Sequence, residues 1–253
     1  MKIEELKDYE GEDKIISSFE MELQQKMKKT SGMSIKTGLP YLDKAIGGGY
    51  RPGELYAISG PTKQGKTLLS QTITKNAYDA QHFACWFSYE LPPDQFLRCF
   101  PELPLLYMPQ RLRSYDMRWI ADRILESFAK FHTRIVFIDH LHFLFDMFKA
   151  KSPSLEIGTV IRKLKTLAVE HGLIIFLLCH TSKNGAENVS YQSIRDSSFV
   201  AQESDSVFMI CRTKGTENKA ILRVEFHRRT GVMEKVIKLV KVNSYLEEED
   251  DGR

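Results

Sequence analysis

The chain has 253 residues, a formal net charge of +3, 42% hydrophobic and 27% charged residues, which is ordinary for a globular protein and excludes fibrous or wholly disordered classes. No run approaches the ~20 apolar residues of a membrane span, and the acidic start "MKIEELKDYEGEDK" lacks the apolar core of a secretion signal. The expected compartment is therefore the cytosol, a host's cytoplasm for a viral source included, or an organelle matrix. The four cysteines (Cys85, Cys99, Cys179, Cys211) are widely spaced without a C-x-x-C, so buried reduced thiols are expected rather than disulfides or a zinc framework.

In chain order, the first pattern is "GEDKIISSFEMELQQKMKKT". Its Ile16, Phe19, Leu23 and Met27 recur at helical spacing and predict an amphipathic helix from Gly11 to about Thr30. A lone helix of this length is marginal in water and needs a docking surface, on its own domain or on a neighbouring subunit. A short hinge, "SGMS", follows it. From Thr37 onward strands and helices alternate. "GELYAISG" reads as a strand, "KTLLSQTITKNAYDAQ" as a helix, "FACWFSYE" as a strand with a helix from about Pro93, and "MRWIADRILESFAKFH" as a helix. "RIVFID" is a buried strand, "SLEIGTVIRKLKTLAVEHG" a helix, and "LIIFLLCH" and "SDSVFMICR" are buried strands. "AILRVEFHRRTGVMEKVIKLVKV" reads as a hairpin around Thr230-Gly231. Alternating buried strands and helices imply an α/β fold, a mostly parallel central sheet with helices on both faces. The last seven residues, "EEEDDGR", carry five acids, and residues 245–253 are expected to form a disordered acidic tail. Without them the body is more basic, which permits a polyanionic partner.

"GPTKQGKT" matches the phosphate-loop pattern G-x-x-x-x-G-K-[ST] between a predicted strand and a predicted helix. Its glycines let backbone amides curl around a phosphate at the positive end of the helix. Gly60, Pro61, Thr62, Lys63, Gln64, Gly65, Lys66, Thr67 and the adjoining Leu68 are the expected nucleotide contacts. Lys66 neutralises the β- and γ-phosphates, and the Thr67 hydroxyl ligates magnesium. Asp139, at the end of an apolar strand, is the second expected magnesium ligand. Its neighbours His140 and His142 are read as supporting or packing residues rather than as a metal pair. Glu90 ends the strand after the phosphate-loop helix, where a carboxylate can polarise an attacking water. His180 ends the next apolar strand and is expected to sense the γ-phosphate for the polar loop behind it. Arg228 and Arg229 in "EFHRRTG" form a pair from which a neighbouring subunit's site could receive an arginine finger.

The ordered set "TGLPYLDKAIGGGYRPGELYAISGPTKQGKT", "FSYELPPDQFLRC", "RIVFIDHLHFL", "SSFVAQESDSVFMICR" and "FHRRTG" resembles the RecA-like ATPase domain of DnaB-type replicative helicases, including the Twinkle-like branch. The resemblance runs from about Thr37 to Val242. It implies a RecA-like phosphate-loop core at residues 34–244, preceded by a linker helix and hinge at residues 1–33 that packs against an adjacent subunit. It implies ATP and Mg2+ as cofactors, a ring-shaped homo-oligomer, a hexamer in the family, and translocation on single-stranded DNA. It assigns Glu90 as base and Arg228 as finger; because Phe226 stands where the family has lysine, either Arg229 substitutes or the trans contact is weaker. It also brings in Arg98 as a nucleotide contact. His180 stands where bacterial members usually carry glutamine. DNA contacts are expected from Lys149 and Lys151 after Asp139, and from Lys183, Asn184 and Gly185 after His180. Backbone-phosphate contacts of that kind suit sequence-independent tracking. With only a helix before Ser31, a primase or loader is expected to act in trans. Two rival expectations remain: a RecA-class recombinase forming filaments, and a regulatory ATPase without motor activity.

Overall fold

The computed structural model describes residues 7, 9–11, 14–27, 34–114, 116–144, 152–180, 197–213, 215–216 and 218–249. It contains two compact units, Met1–Met33 and Ser34–Arg253.

In the first unit, helix α1 covers Ser18–Met27, a later start than the apolar spacing predicts. The reason is a capping box. The Ser17 amide donates to Glu20 Oε2 at 3.0 Å, and the Glu20 amide donates to Ser17 Oγ at 3.1 Å. This reciprocal pair satisfies two otherwise orphaned donors and fixes the helix start. Phe19 and Leu23 on its apolar face are exposed.

The second unit is built on one nine-stranded sheet. In chain order its elements are α2 (Pro40–Ala45), β1 (Leu55–Gly60), α3 (Lys66–Asp79), β2 (Ala84–Ser88), α4 (Pro93–Arg98), β3 (Leu106–Tyr107) and α5 (Met117–Phe131). There follow β4 (Ile135–Asp139), a 3-10 turn (Leu141–Phe143), α6 (Pro153–His171), β5 (Ile174–His180), α7 (Ser197–Glu203), β6 (Ser206–Arg212), β7 (Lys219–His227), β8 (Val232–Val242) and β9 (Tyr245–Glu248). The spatial order is β3-β2-β4-β5-β1-β6-β7-β8-β9. Strands from β3 to β6 run parallel, and the β6–β9 half is antiparallel.

The parallel strands read as unbroken apolar runs because both of their faces are covered. Along β4, Ile135 and Phe137 join one core while Val136 and Ile138 join the other. This is the two-residue period of a strand seen from both sides. An aromatic row crosses the first core. Trp86 stacks on Phe137 at 4.4 Å, Phe137 on Phe176 at 4.7 Å, and Tyr56 on Phe176 at 5.2 Å. Such pairs add to area burial and lock strand register.

The expected disordered tail at residues 245–253 is corrected for its first part. Asn243 and Ser244 both take positive φ, 46° and 73°, the two-residue turn that suits a tight hairpin. β9 therefore folds back on β8. Leu246 is buried, and its amide donates to Thr72 Oγ1 at 2.9 Å. Glu248 accepts from the amides of Tyr41 and Leu42 at 2.7 and 2.8 Å, a carboxylate at the positive start of α2. Two of the acids thus hold structure: Glu248 as this cap, and Glu249 paired with Lys219. A charge run read only as a solvated tail hides both roles.

Candidate nucleotide and catalytic site

Four adjacent parallel strands, β2, β4, β5 and β1, end on the same edge of the sheet. Ser88 is in register with Asp139, and His180 with Gly60. In open α/β sheets the crevice beyond these carboxyl ends is where ligands bind.

The loop after β1 needs its glycines for specific reasons. A Cβ on Gly60 would meet the Ile210 carbonyl oxygen at 2.2 Å, so nothing larger than glycine fits against β6. Gly65 caps α3 with φ 107°, a conformation that side chains other than glycine rarely adopt. Gln64 Oε1 accepts the Arg212 amide at 2.7 Å, tying the loop to the end of β6.

Lys66 opens α3 and is 7% exposed. Its ammonium donates to the carbonyls of Gly60 and Pro61 at 2.9 and 3.1 Å. Burial pushes its pKa below the usual lysine value, while Glu90 and Asp139 pull the other way. Thr62, Lys63, Gly65, Lys66, Thr67 and Leu68 face a cleft of about 500 Å³, together with Glu90, Leu91 and His180. The structure therefore gathers residues that the sequence scatters over more than a hundred positions.

Asp139 is 2% exposed at the end of β4. Burial, reinforced by Glu90, pushes its carboxyl up to about 6, against the pull of His140 and Lys66. A buried carboxyl of this kind gains from a cation that offsets its desolvation. Thr67 and Asp139 offer hard oxygen donors, which fit Mg2+. The sheet thus ends in two carboxyls displaced in opposite directions, because Glu90 is drawn the other way. His140 beside it holds the Glu90 carboxyl below its usual value, outweighing partial burial. At 3.8 Å from His140 Nδ1 to Glu90 Oε2 this is an electrostatic contact rather than a formed hydrogen bond. Burial lowers the His180 pKa to about 4, with His140 and Lys66 adding to the effect, so the ring is neutral near pH 7.

Of the two roles expected for His140, supporting or packing, its position fits the supporting one. It sits between the two carboxylates, 3.9 Å from Asp139 Oδ1, with its ring 4.2 Å from that of His180. The available signal was its place immediately after a strand-terminal aspartate, which puts a side chain on the same sheet edge.

Other expected residues lie apart. Arg98 is the last residue of α4, and the cleft is lined by Leu91 and Cys99 rather than by Arg98. Arg228 and Arg229 follow β7, beside the start of β1 and thus at the opposite end of that strand from the phosphate loop. Arg228 donates to the carbonyls of Ser204 at 2.8 Å and of Ala201 and Gln202 at the end of α7. Arg229 donates to Glu54 at 2.7 Å and to the carbonyls of Gly47 and Gly49. Within this chain the Arg229 guanidinium neutralises Glu54, a carboxylate that burial would push up but that Arg229 and Tyr56 hold below its usual value. The expected DNA contacts Lys149, Lys151, Lys183, Asn184 and Gly185 lie outside the described residues.

Comparison with known proteins matches residues 105–243 to the family described as the DnaB-like helicase C terminal domain, and residues 35–102 to the ATPase family described as KaiC. The circadian clock oscillator protein KaiC of Prochlorococcus marinus strain MIT 9313 is 32% identical over 83 residues, 33% of this chain and 17% of that protein. KaiC of Parasynechococcus marenigrum strain WH8102 is 31% identical over 83 residues, 33% of this chain and 16% of that protein. The chain thus spans about a sixth of the length of these curated relatives. Among solved structures, a DnaB-like replicative helicase described with its interactions with primase superimposes with a TM-score of 0.75 at 17% identity, over 96% of this chain and 68% of that one. The ATPase domain of G40P superimposes with a TM-score of 0.78 at 17% identity, over 94% of this chain and 100% of that one. At such identity the two structures speak for the fold, a RecA-like α/β core with a mostly parallel sheet. No helix among the described residues is long and apolar enough to cross a membrane.

Proposed function

The chain belongs to the DnaB-like helicase C-terminal domain family, and from that premise we propose that it is the ATP-driven motor of a replicative-type helicase. In this reading it assembles as a ring, a hexamer, translocates on single-stranded DNA and unwinds duplex, with a primase or loader acting in trans. The observation that carries the proposal is the cleft itself, where Lys66 and Thr67 of the phosphate loop face Glu90 and His180 from two other strand ends.

ATP and Mg2+ fit this donor set. Magnesium, when bound, supplies charge neutralisation across the β- and γ-phosphates. Thr67 and Asp139 are the residues to hold it. Lys66 leaves the loop carbonyls for phosphate oxygens, exchanging neutral acceptors for anionic ones, which strengthens its hydrogen bonds. The Glu90 carboxylate, kept ionised by its neighbours, orients and polarises the attacking water. Neutral His180 presents a ring nitrogen that can donate to a γ-phosphate oxygen without adding charge, at the head of the segment proposed to contact DNA. Arg228 reaches a neighbour's site by giving up carbonyls at the end of α7. The loop positions Lys149, Lys151, Lys183, Asn184 and Gly185 are proposed to track the DNA backbone.

The test is ATP hydrolysis with and without single-stranded DNA, alongside unwinding of a forked duplex. Stimulation with unwinding supports the motor; stimulation without unwinding, on long filaments seen by electron microscopy, moves the reading to a recombinase. The KaiC match over residues 35–102 favours a second reading, an ATPase that switches partners without a motor. That reading expects hydrolysis indifferent to DNA.

A further inference from the structure

We propose that Glu90, His140 and His180 form a binding site for a borderline transition-metal dication of the zinc class, separate in donor set from the oxygen pair Thr67 and Asp139. One ligand atom from each of the three residues lies within 4.8 Å of the others. The His140 Nδ1 to Glu90 Oε2 separation is 3.8 Å. Around a zinc-class ion with bonds of about 2.0–2.2 Å, tetrahedral donors stand roughly 3.3–3.6 Å apart. Small side-chain rotations close that gap without moving the backbone.

The three residues stand at or just past the ends of three adjacent strands, β2, β4 and β5, so rigid elements place them. His140 packs edge-on against Phe143 at 5.0 Å, and Phe143 stacks on Tyr89 at 5.5 Å, which limits the ring's freedom. The Nδ1 atoms of His140 and His180 are shielded from solvent and have no hydrogen-bond partner among the described residues. A shielded ring nitrogen without a partner is costly, and a metal bond satisfies it. Two imidazoles and one carboxylate prefer zinc-class ions over Mg2+, which selects oxygen ligands. Resting on the proposed role of Glu90 as base, occupancy removes that carboxylate from water activation, so the ion acts as a reversible inhibitor of hydrolysis.

The probe is Co2+ added to the full chain in excess Mg2+, followed by visible absorption and displaced by Zn2+. The expected result is a saturable spectrum of nitrogen-coordinated cobalt at one equivalent. Glu90→Gln, His140→Ala and His180→Ala should each weaken binding by at least about tenfold, the lower bound for loss of even an outer partner. Asp139→Asn should leave it unchanged, and thermal melts should confirm that each variant is folded. Absence of the spectrum, or its loss in Asp139→Asn with retention in His140→Ala, overturns the site. In a parallel ATPase assay, Zn2+ should inhibit the wild type and spare His140→Ala. Cobalt binding with hydrolysis unaffected supports the metal site and overturns Glu90 as the base.

Discussion

Arg229 Nε lies 2.7 Å from Glu54 Oε1, joining the turn after β7 to the residue just before β1. The neighbouring Arg228 is held by backbone carbonyls at the end of α7. These two engagements differ in what is left behind when the arginine departs. Water can replace an arginine at helix-end carbonyls, whereas Glu54 is 8% exposed and would keep its hydrogen bonds from Tyr56 and the Arg51 amide but lose its counter-charge.

Arg229→Ala should therefore lower stability by on the order of 2–4 kcal/mol, read by urea unfolding, since the cost is that of an unpaired buried charge. Arg228→Ala should change stability by less than about 1 kcal/mol. It should instead lower ATP hydrolysis by the assembled chain by roughly 10³–10⁵-fold, as loss of an arginine finger does. The opposite pattern would exchange the two roles.

Glu90→Gln should reduce kcat by about 10²–10⁴-fold, the usual worth of a general base, while nucleotide binding stays within a few-fold. A fluorescent nucleotide titration beside steady-state turnover separates the two effects. Equal losses in binding and turnover would argue for a structural role.

The Asp139 carboxyl has a folded-state value of about 6 against 3.8 unfolded. A raised acid favours the folded state while it is protonated. That contribution is complete below about pH 3.8 and is lost as pH rises through about 6. Two units correspond to about 3 kcal/mol. With chelator present, Asp139→Asn should be more stable than the wild type by up to about 3 kcal/mol above pH 7, the advantage shrinking to near zero at pH 4. Denaturant melts at the two pH values check the sign.

Leu246→Ala should cost about 2–5 kcal/mol, the range for truncating a buried leucine. Deleting the chain after Val242 should cost more, because it also removes the Glu248 cap on α2. A tail without structural role would tolerate both changes, so a thermal melt decides between them.

How much was legible follows from where the information sits in the chain. β1, β2, β4 and β5 could be read directly because burial on both faces makes each a continuous apolar run. The phosphate loop was equally plain, since its chemistry is local: eight consecutive residues must supply glycine φ angles, a lysine and a hydroxyl. β9 was missed because its turn is Asn243-Ser244 rather than a glycine pair, and because its acids suggest solvent. The late start of α1 lies in one reciprocal contact, Ser17 with Glu20, that apolar periodicity does not report.

By itself, the sequence determined the α/β class, the loop from Gly60 to Thr67, and the strand-end residues Glu90, Asp139 and His180, because each depends on local pattern or on its place after a strand. Only the tertiary structure decided that Lys66, Thr67, Glu90 and His180 share one cleft, that His140 stands between Glu90 and Asp139, and that Arg229 pairs with Glu54. Strand order is set by packing over long separations. Two residues 175 apart in the chain carry no mark of each other until the sheet brings them within 2.7 Å.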